Sequence, residues 1–175
     1  MFYYEENREG GEYQAMTQLT HFDEQGASRM VDVSKKEDTD RVAVAHAKII
    51  MKPETFQLIM DKKIQKGDVL EVARVAGIMA SKHTCTLIPM CHPLNLTSVK
   101  IDFTNNAVNE IDVLSEVRVT GKTGVEMEAI TAAAVCAMTI YDMCKAADKG
   151  MVISDIHLVK KSGGKRGTFI FDKDA

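Results

Sequence analysis

Apolar positions along this chain follow two periods. Residues 42–51 are rich in β-branched side chains with weak alternation, which predicts a strand. Thr97, Val99, Ile101 and Phe103 alternate with polar neighbours; beyond the Asn105-Asn106 turn, Ile111, Val113, Val117 and Val119 alternate again. That pattern predicts an antiparallel hairpin with one buried face. A last strand is expected over 153–160. Elsewhere the spacing is three and four. Pro53 suits the first turn of a helix striped by Phe56, Ile59 and Met60. Lys66-Gly67-Asp68 breaks that helix, and Val69, Val72, Ala73, Ala76, Met79 and Ala80 mark the next. Its small-residue face implies close packing on a sheet or another helix. The longest helix is expected from about 125 to 147: it is Ala-rich, lacks Gly and Pro, and stops before Gly150. Strands and helices intermingle without a strict βα rhythm. The fold class is therefore α+β, an antiparallel sheet packed against helices, rather than a doubly wound parallel sheet.

Two segments resist both periods. Residues 20–34, punctuated by Gly26, read as extended or loop. In Leu87-Ile88-Pro89-Met90-Cys91-His92-Pro93-Leu94 each proline removes a donor and pushes the residue before it toward extended geometry. His92 is thus expected on a stiffened, extended loop.

The 175 residues, 45% hydrophobic, suffice for one domain with one core. A net charge of −3 argues against general nucleic-acid binding. No apolar run reaches membrane-spanning length, and the start lacks the basic-then-apolar pattern of a signal peptide. Residues 1–16 read as a polar N-terminal extension, native or left over from expression, because Met16 would serve as an ordinary start. Cys85, Cys91, Cys136 and Cys144 form no C-x-x-C pair, so reduced thiols in a cytoplasmic protein are expected.

Several ionisable residues stand out. His92 lies between prolines, Glu126 and Glu128 open the long helix, and Asp142 and Lys145 share one face of it. Lys66 adjoins a glycine, and Lys161 and Lys165 flank Gly163-Gly164. Each has an ordinary explanation: acidic residues favour helix starts, Asp-Lys pairs are common on exposed helices, and glycine-rich segments are often plain turns. Backbone N–H groups and lysines in such a turn also suit phosphate. If Glu128 and Asp142 lie on one helix, fourteen residues separate them by roughly 21 Å. One compact site within a single subunit can hardly use both ends, so a site between subunits is expected.

In combination the motifs are specific. Met30-Val31-Asp32-Val33-Ser34, Lys66-Gly67-Asp68, Ala76-Gly77-Ile78, the Leu87-to-Leu94 string, Thr123-Gly124-Val125-Glu126-Met127-Glu128-Ala129, Thr139-Ile140-Tyr141-Asp142-Met143-Cys144-Lys145 and Lys161-Ser162-Gly163-Gly164-Lys165 occur in one order. Over residues 19–167 the chain resembles the cyclic pyranopterin monophosphate synthase family of molybdenum-cofactor biosynthesis. The resemblance implies a ferredoxin-like subunit with a single catalytic domain over 17–175. It implies a homohexamer, a trimer of dimers with the active site at the dimer interface. The implied substrate is a cyclised GTP derivative, with no redox or metal cofactor. It also implies catalytic roles for Asp142, Lys145 and Lys66. Met90, Cys91, His92, Glu126, Met127, Glu128, Lys161 and Lys165 are implied to bind substrate. Lys66 and Lys145 are expected to transfer protons, which a lysine does near neutrality when burial or nearby cations lower its pKa. The family usually has Ser where this chain has Arg166. Arg lacks a hydroxyl's acceptor, and is expected either to strengthen the hold on a triphosphate or to point to solvent.

Two other readings remain. A metal site would draw on His83, Cys85, Cys91 and His92, but this spacing fits no common zinc pattern. A non-catalytic nucleotide- or pterin-binding protein on the same fold would share the motifs, yet Lys66, Asp142 and Lys145 are all present.

Overall fold

The computed structural model describes residues 27–165 and 167–172. The chain divides into an N-terminal unit, Met1–Val31, and a unit, Asp32–Ala175, that holds every element named below. The expected boundary after Met16, the 20–26 part of the 20–34 segment and Arg166 lie outside the described residues.

The elements run β1 (Thr39–Ile50), α1 (Pro53–Met60), α2 (Val69–Lys82), α3 (Thr84–Leu87), β2 (Ser98–Asn105), β3 (Glu110–Gly121), α4 (Glu126–Cys144), β4 (Val152–Ser162) and β5 (Phe169–Ile170). The sheet order is β2-β3-β1-β4-β5, and every neighbouring pair is antiparallel. Strand, helical crossover, hairpin, helix and strand in this order give the ferredoxin-like α+β arrangement.

Strict alternation decides which face of the sheet is covered. Ala43, Ala45, Ala47 and Ile49 of β1 are buried, as are Ile111, Val113, Ser115, Val117 and Val119 of β3. The intervening residues face outward (Lys48, Glu110 and Asp112 form ion pairs there). The weak alternation read from β1 becomes strong in the fold, because its inward residues are small alanines that count little as apolar signals. Helix α4 covers this face, with Ala129, Ala132, Ala133, Cys136 and Ala137 buried. Ser115 Oγ donates to the Ala129 carbonyl at 2.6 Å, tying helix to sheet.

Helix α2 packs on α4. Asp68 caps its start by accepting from Glu71 N at 3.3 Å. The crossing point is Gly77, where a Cβ would collide with Cys136 Sγ and stand 2.9 Å from the Ala132 carbonyl. The expected small-residue face therefore meets a helix.

Three differences from the sequence pattern have local causes. The one-turn helix α3 follows directly on α2, with the Thr84 hydroxyl bonded 3.0 Å to Ser81 O. Strand β5 has only two residues, too few for a period. Helix α4 stops at Cys144 rather than 147, because Ala147 N and Asp148 N both fold back onto Cys144 O. The buried Asp148 carboxylate then takes the Lys52 and Gly150 N–H groups, each at 2.9 Å, and turns the chain into β4. Helix α4 is also long and apolar enough to cross a membrane by length and composition, with 56% of that window buried inside the protein, as in a core helix.

Candidate active site

The candidate side chains gather at the two ends of α4. At its C-terminal end, the turn between α1 and α2 delivers Lys66. Lys66 Nζ donates to the Asp142 carbonyl at 2.9 Å and to Asp142 Oδ2 at 3.3 Å. Lys145 Nζ donates to Asp142 Oδ1 at 2.6 Å. One carboxylate thus holds two lysines, one on each oxygen. The side chains are 49%, 58% and 53% exposed for Lys66, Asp142 and Lys145, so these pairs add little to stability. The group carries one positive charge in excess, open to solvent. Lys145 and then Lys66 hold the Asp142 carboxyl below its ordinary range. Asp142 in turn raises the Lys145 pKa. The expectation that burial or nearby cations lower a lysine's pKa is not met at Lys145 in the single chain: exposure and the Asp142 carboxylate keep its proton on. Beneath them the Cys144 thiol is pushed up to about 11 by burial.

At the N-terminal end, Glu126 and Glu128 occupy the first turn. Glu128 is 4% exposed. Burial, opposed by its own backbone N–H and aided by the charge of Glu126, raises its pKa from 4.5 to about 7. The proline-rich segment leaves α3 through two turns, Ile88 N to Thr84 O and Cys91 N to Ile88 O. Met90, Cys91 and His92 are half-buried there, outside any helix or strand. The Cys91 thiol is raised by burial first, then by Glu128 and Cys85, which places it within the field of Glu128.

The glycine-rich segment lies at this same end, since Thr39 of β1 pairs with Gly121 of β3, and Val42 with Ser162 of β4. Gly163 and Gly164 have φ of 91° and 73°, where side chains are strained. A Cβ on Gly163 would strike the Asp40 carbonyl, and one on Gly164 the Arg41 guanidinium. Arg41 also donates to Gly121 O at 2.9 Å and Lys122 O at 3.1 Å. It therefore joins the glycine-rich segment to the turn leading into α4. Lys122 Nζ donates to Ser34 O at 3.0 Å. Lys161 pairs with Ala43 and so shares the helix-covered face, and Lys165 is exposed. Sequence reasoning singled out neither Arg41 nor Lys122, because a charged residue at a strand start or in a turn carries no signal of its own.

The structure thus unites Lys66 with Asp142 and Lys145, and Cys91 with Glu128, and sets Lys161 at the Glu128 end. It does not unite the two ends, because Glu128 and Asp142 share one continuous helix. Among the described residues no three or more His, Cys, Asp or Glu side chains are grouped to hold a metal ion.

Known proteins resemble this chain in sequence. Residues 30–164 match the model of the MoaC family. A cyclic pyranopterin monophosphate synthase of Heliobacterium modesticaldum is 59% identical over 156 residues, covering 89% of this chain and 98% of that protein. One of Desulfitobacterium hafniense is 60% identical over 153 residues, covering 87% and 94%. One of Syntrophomonas wolfei is 59% identical over 155 residues, covering 88% and 99%. The matched span takes in β1 through the glycine-rich segment and both ends of α4, and on that extent and identity the chain belongs to the MoaC family.

Proposed function

We propose that this chain is a cyclic pyranopterin monophosphate synthase, a lyase that converts 3',8-cyclo-7,8-dihydro-GTP to cyclic pyranopterin monophosphate and pyrophosphate. The observation that carries the reading is the Lys66–Asp142–Lys145 group, two lysines held on one exposed carboxylate from positions far apart in sequence. Rebuilding purine-derived rings into a pterin requires protons to move on and off nitrogen. Lys145, kept protonated by Asp142, is suited to give a proton, and Lys66 shares the transfer. Asp142 orients both. Glu128, with a pKa of about 7, can exchange a proton at neutral pH. Closing the cyclic phosphate breaks the bond to pyrophosphate, and cations on the leaving oxygens lower that barrier. Lys161 and Lys165 fill that role. Met90, Cys91, His92, Glu126 and Met127 contact substrate, with His92 donating to phosphate or to a leaving group. Neither a redox nor a metal cofactor enters.

The separation of the two groups along α4 supports a site built by two subunits. One subunit supplies the Lys66 end and another the Glu128 end, within a trimer of dimers located in the cytoplasm. The catalytic domain begins at residue 17.

The test incubates purified protein with the cyclised GTP derivative and follows pyrophosphate together with the pyranopterin. Lys66→Ala and Lys145→Ala should each lower kcat by about 10²- to 10⁴-fold while still binding substrate. A folded wild-type protein that makes neither product would defeat the enzyme reading in favour of a binding protein.

A further inference from the structure

Beside the glycine-rich segment, the sheet carries a set of rings that the reaction leaves unexplained. Strand β5 pairs with β4 through Lys160↔Ile170 and Lys161↔Phe169, and Phe171 N donates to Val159 O at 2.8 Å. A two-residue strand at a sheet edge has little to hold it. The Phe171 ring, however, lies 4.5 Å from the ring of His157 at 45°, and His157 lies 5.2 Å from His46 at 50°.

The two imidazoles are fixed from behind. His46 and His157 are direct partners across β1 and β4. Their Nδ1 atoms stand 3.0 and 2.8 Å from one carbonyl, that of Asp155. His46 Nε2 stands 2.8 Å from Asp112 Oδ1 on β3. Asp155 has a φ of 52°, rare for a residue with a side chain, where the β1–β4 register shifts. That irregularity turns the Asp155 carbonyl between both rings. A continuous line of contacts therefore runs from β3 through β1 and β4 to Phe171, the residue after β5.

The fold does not require this line's last member. Phe171 is 44% exposed, and no β5 residue belongs to the hydrophobic core. The contact sits beside the end of β4, which carries Lys161, and the turn that follows it, which carries Lys165.

We propose that Phe171 is a positioning residue. Seated on His157, it clips β5 to β4 and so holds the lysine-bearing segment in the geometry that receives the phosphates. This rests on the phosphate role given to that segment above.

The experiment compares full-length wild type, Phe171→Ala and Phe171→Tyr. Amide hydrogen exchange is followed over residues 159–165, with β1 and α4 as controls, at matched assembly mass. Affinity for inorganic pyrophosphate, and kcat and KM for the cyclised GTP derivative, are measured on the same samples. From the strength of an aromatic pair, Phe171→Ala should speed exchange at 161–165 roughly two- to tenfold. Pyrophosphate binding should weaken and KM rise by a similar factor, with kcat within about twofold of wild type. Controls should not move, and Tyr, which keeps the ring, should restore every value. Unchanged exchange at 161–165, unchanged pyrophosphate affinity, or a rise spread equally over β1 and α4 would overturn the proposal. A wild type without turnover would defeat the proposed function alone, while exchange and pyrophosphate affinity would still decide the role of Phe171.

Discussion

Glu128→Gln isolates the energetic consequence of burying a carboxyl at the start of α4. The side chain is nearly inaccessible, and desolvation raises its pKa from 4.5 to about 7. Below pH 4.5 the group is protonated both folded and unfolded, and contributes nothing. Between 4.5 and 7 the unfolded chain ionises while the folded one stays protonated. Folding then takes up a proton, and stability falls as pH rises. Above 7 both states are ionised and the penalty is constant. Its full size, from the displacement between 4.5 and 7, is about 3 kcal/mol. Gln keeps the shape and removes the charge, so the variant should match wild type at pH 4.5 or below. It should then gain on wild type through the window, and hold a lead approaching about 3 kcal/mol at pH 8. The assay is urea unfolding at a series of pH values and one fixed protein concentration, since self-association would couple stability to concentration. A stability difference that stays flat between pH 4.5 and 8 would refute the argument, for it would mean that Glu128 is as well solvated folded as unfolded. Activity should fall in the same variant, marking a group retained at a cost in stability.

Asp142→Asn removes the carboxylate that raises the Lys145 pKa. If Lys145 serves as a proton donor, the alkaline limb of the pH–rate profile should move to lower pH in the variant; a limb that stays in place would show that Asp142 does not set it. Gly77→Ala would gain about 1 kcal/mol on an exposed helix. Here the added methyl meets Cys136 and the Ala132 carbonyl, and a net loss of about 1–3 kcal/mol is expected in thermal unfolding.

The sequence by itself determined the elements that have a period and the chemistry that has a motif. Alternation in 97–103 and 111–119 identified the β2–β3 hairpin, because one face of each strand is apolar. Spacing of three and four identified α2, because it buries a stripe, and an Ala-rich run free of Gly and Pro identified α4. The strings around Lys66, Asp142 and Lys145 marked residues that meet within 3.3 Å, although nothing local showed that Lys66 reaches across 76 positions. Tertiary structure alone decided the rest. The two-residue β5 is defined by pairing with β4, and α3 by its place after α2. Arg41 acquires its role from carbonyls 80 and 81 residues away. Glu128 looks like an ordinary helix-start acid until packing closes over it. Lys145 looks like a candidate for a lowered pKa until Asp142 raises it, with too little burial to oppose the rise. Period and composition record which residues prefer burial. Desolvation, charge pairing and backbone satisfaction depend on what arrives from elsewhere in the chain, and only the folded arrangement supplies that.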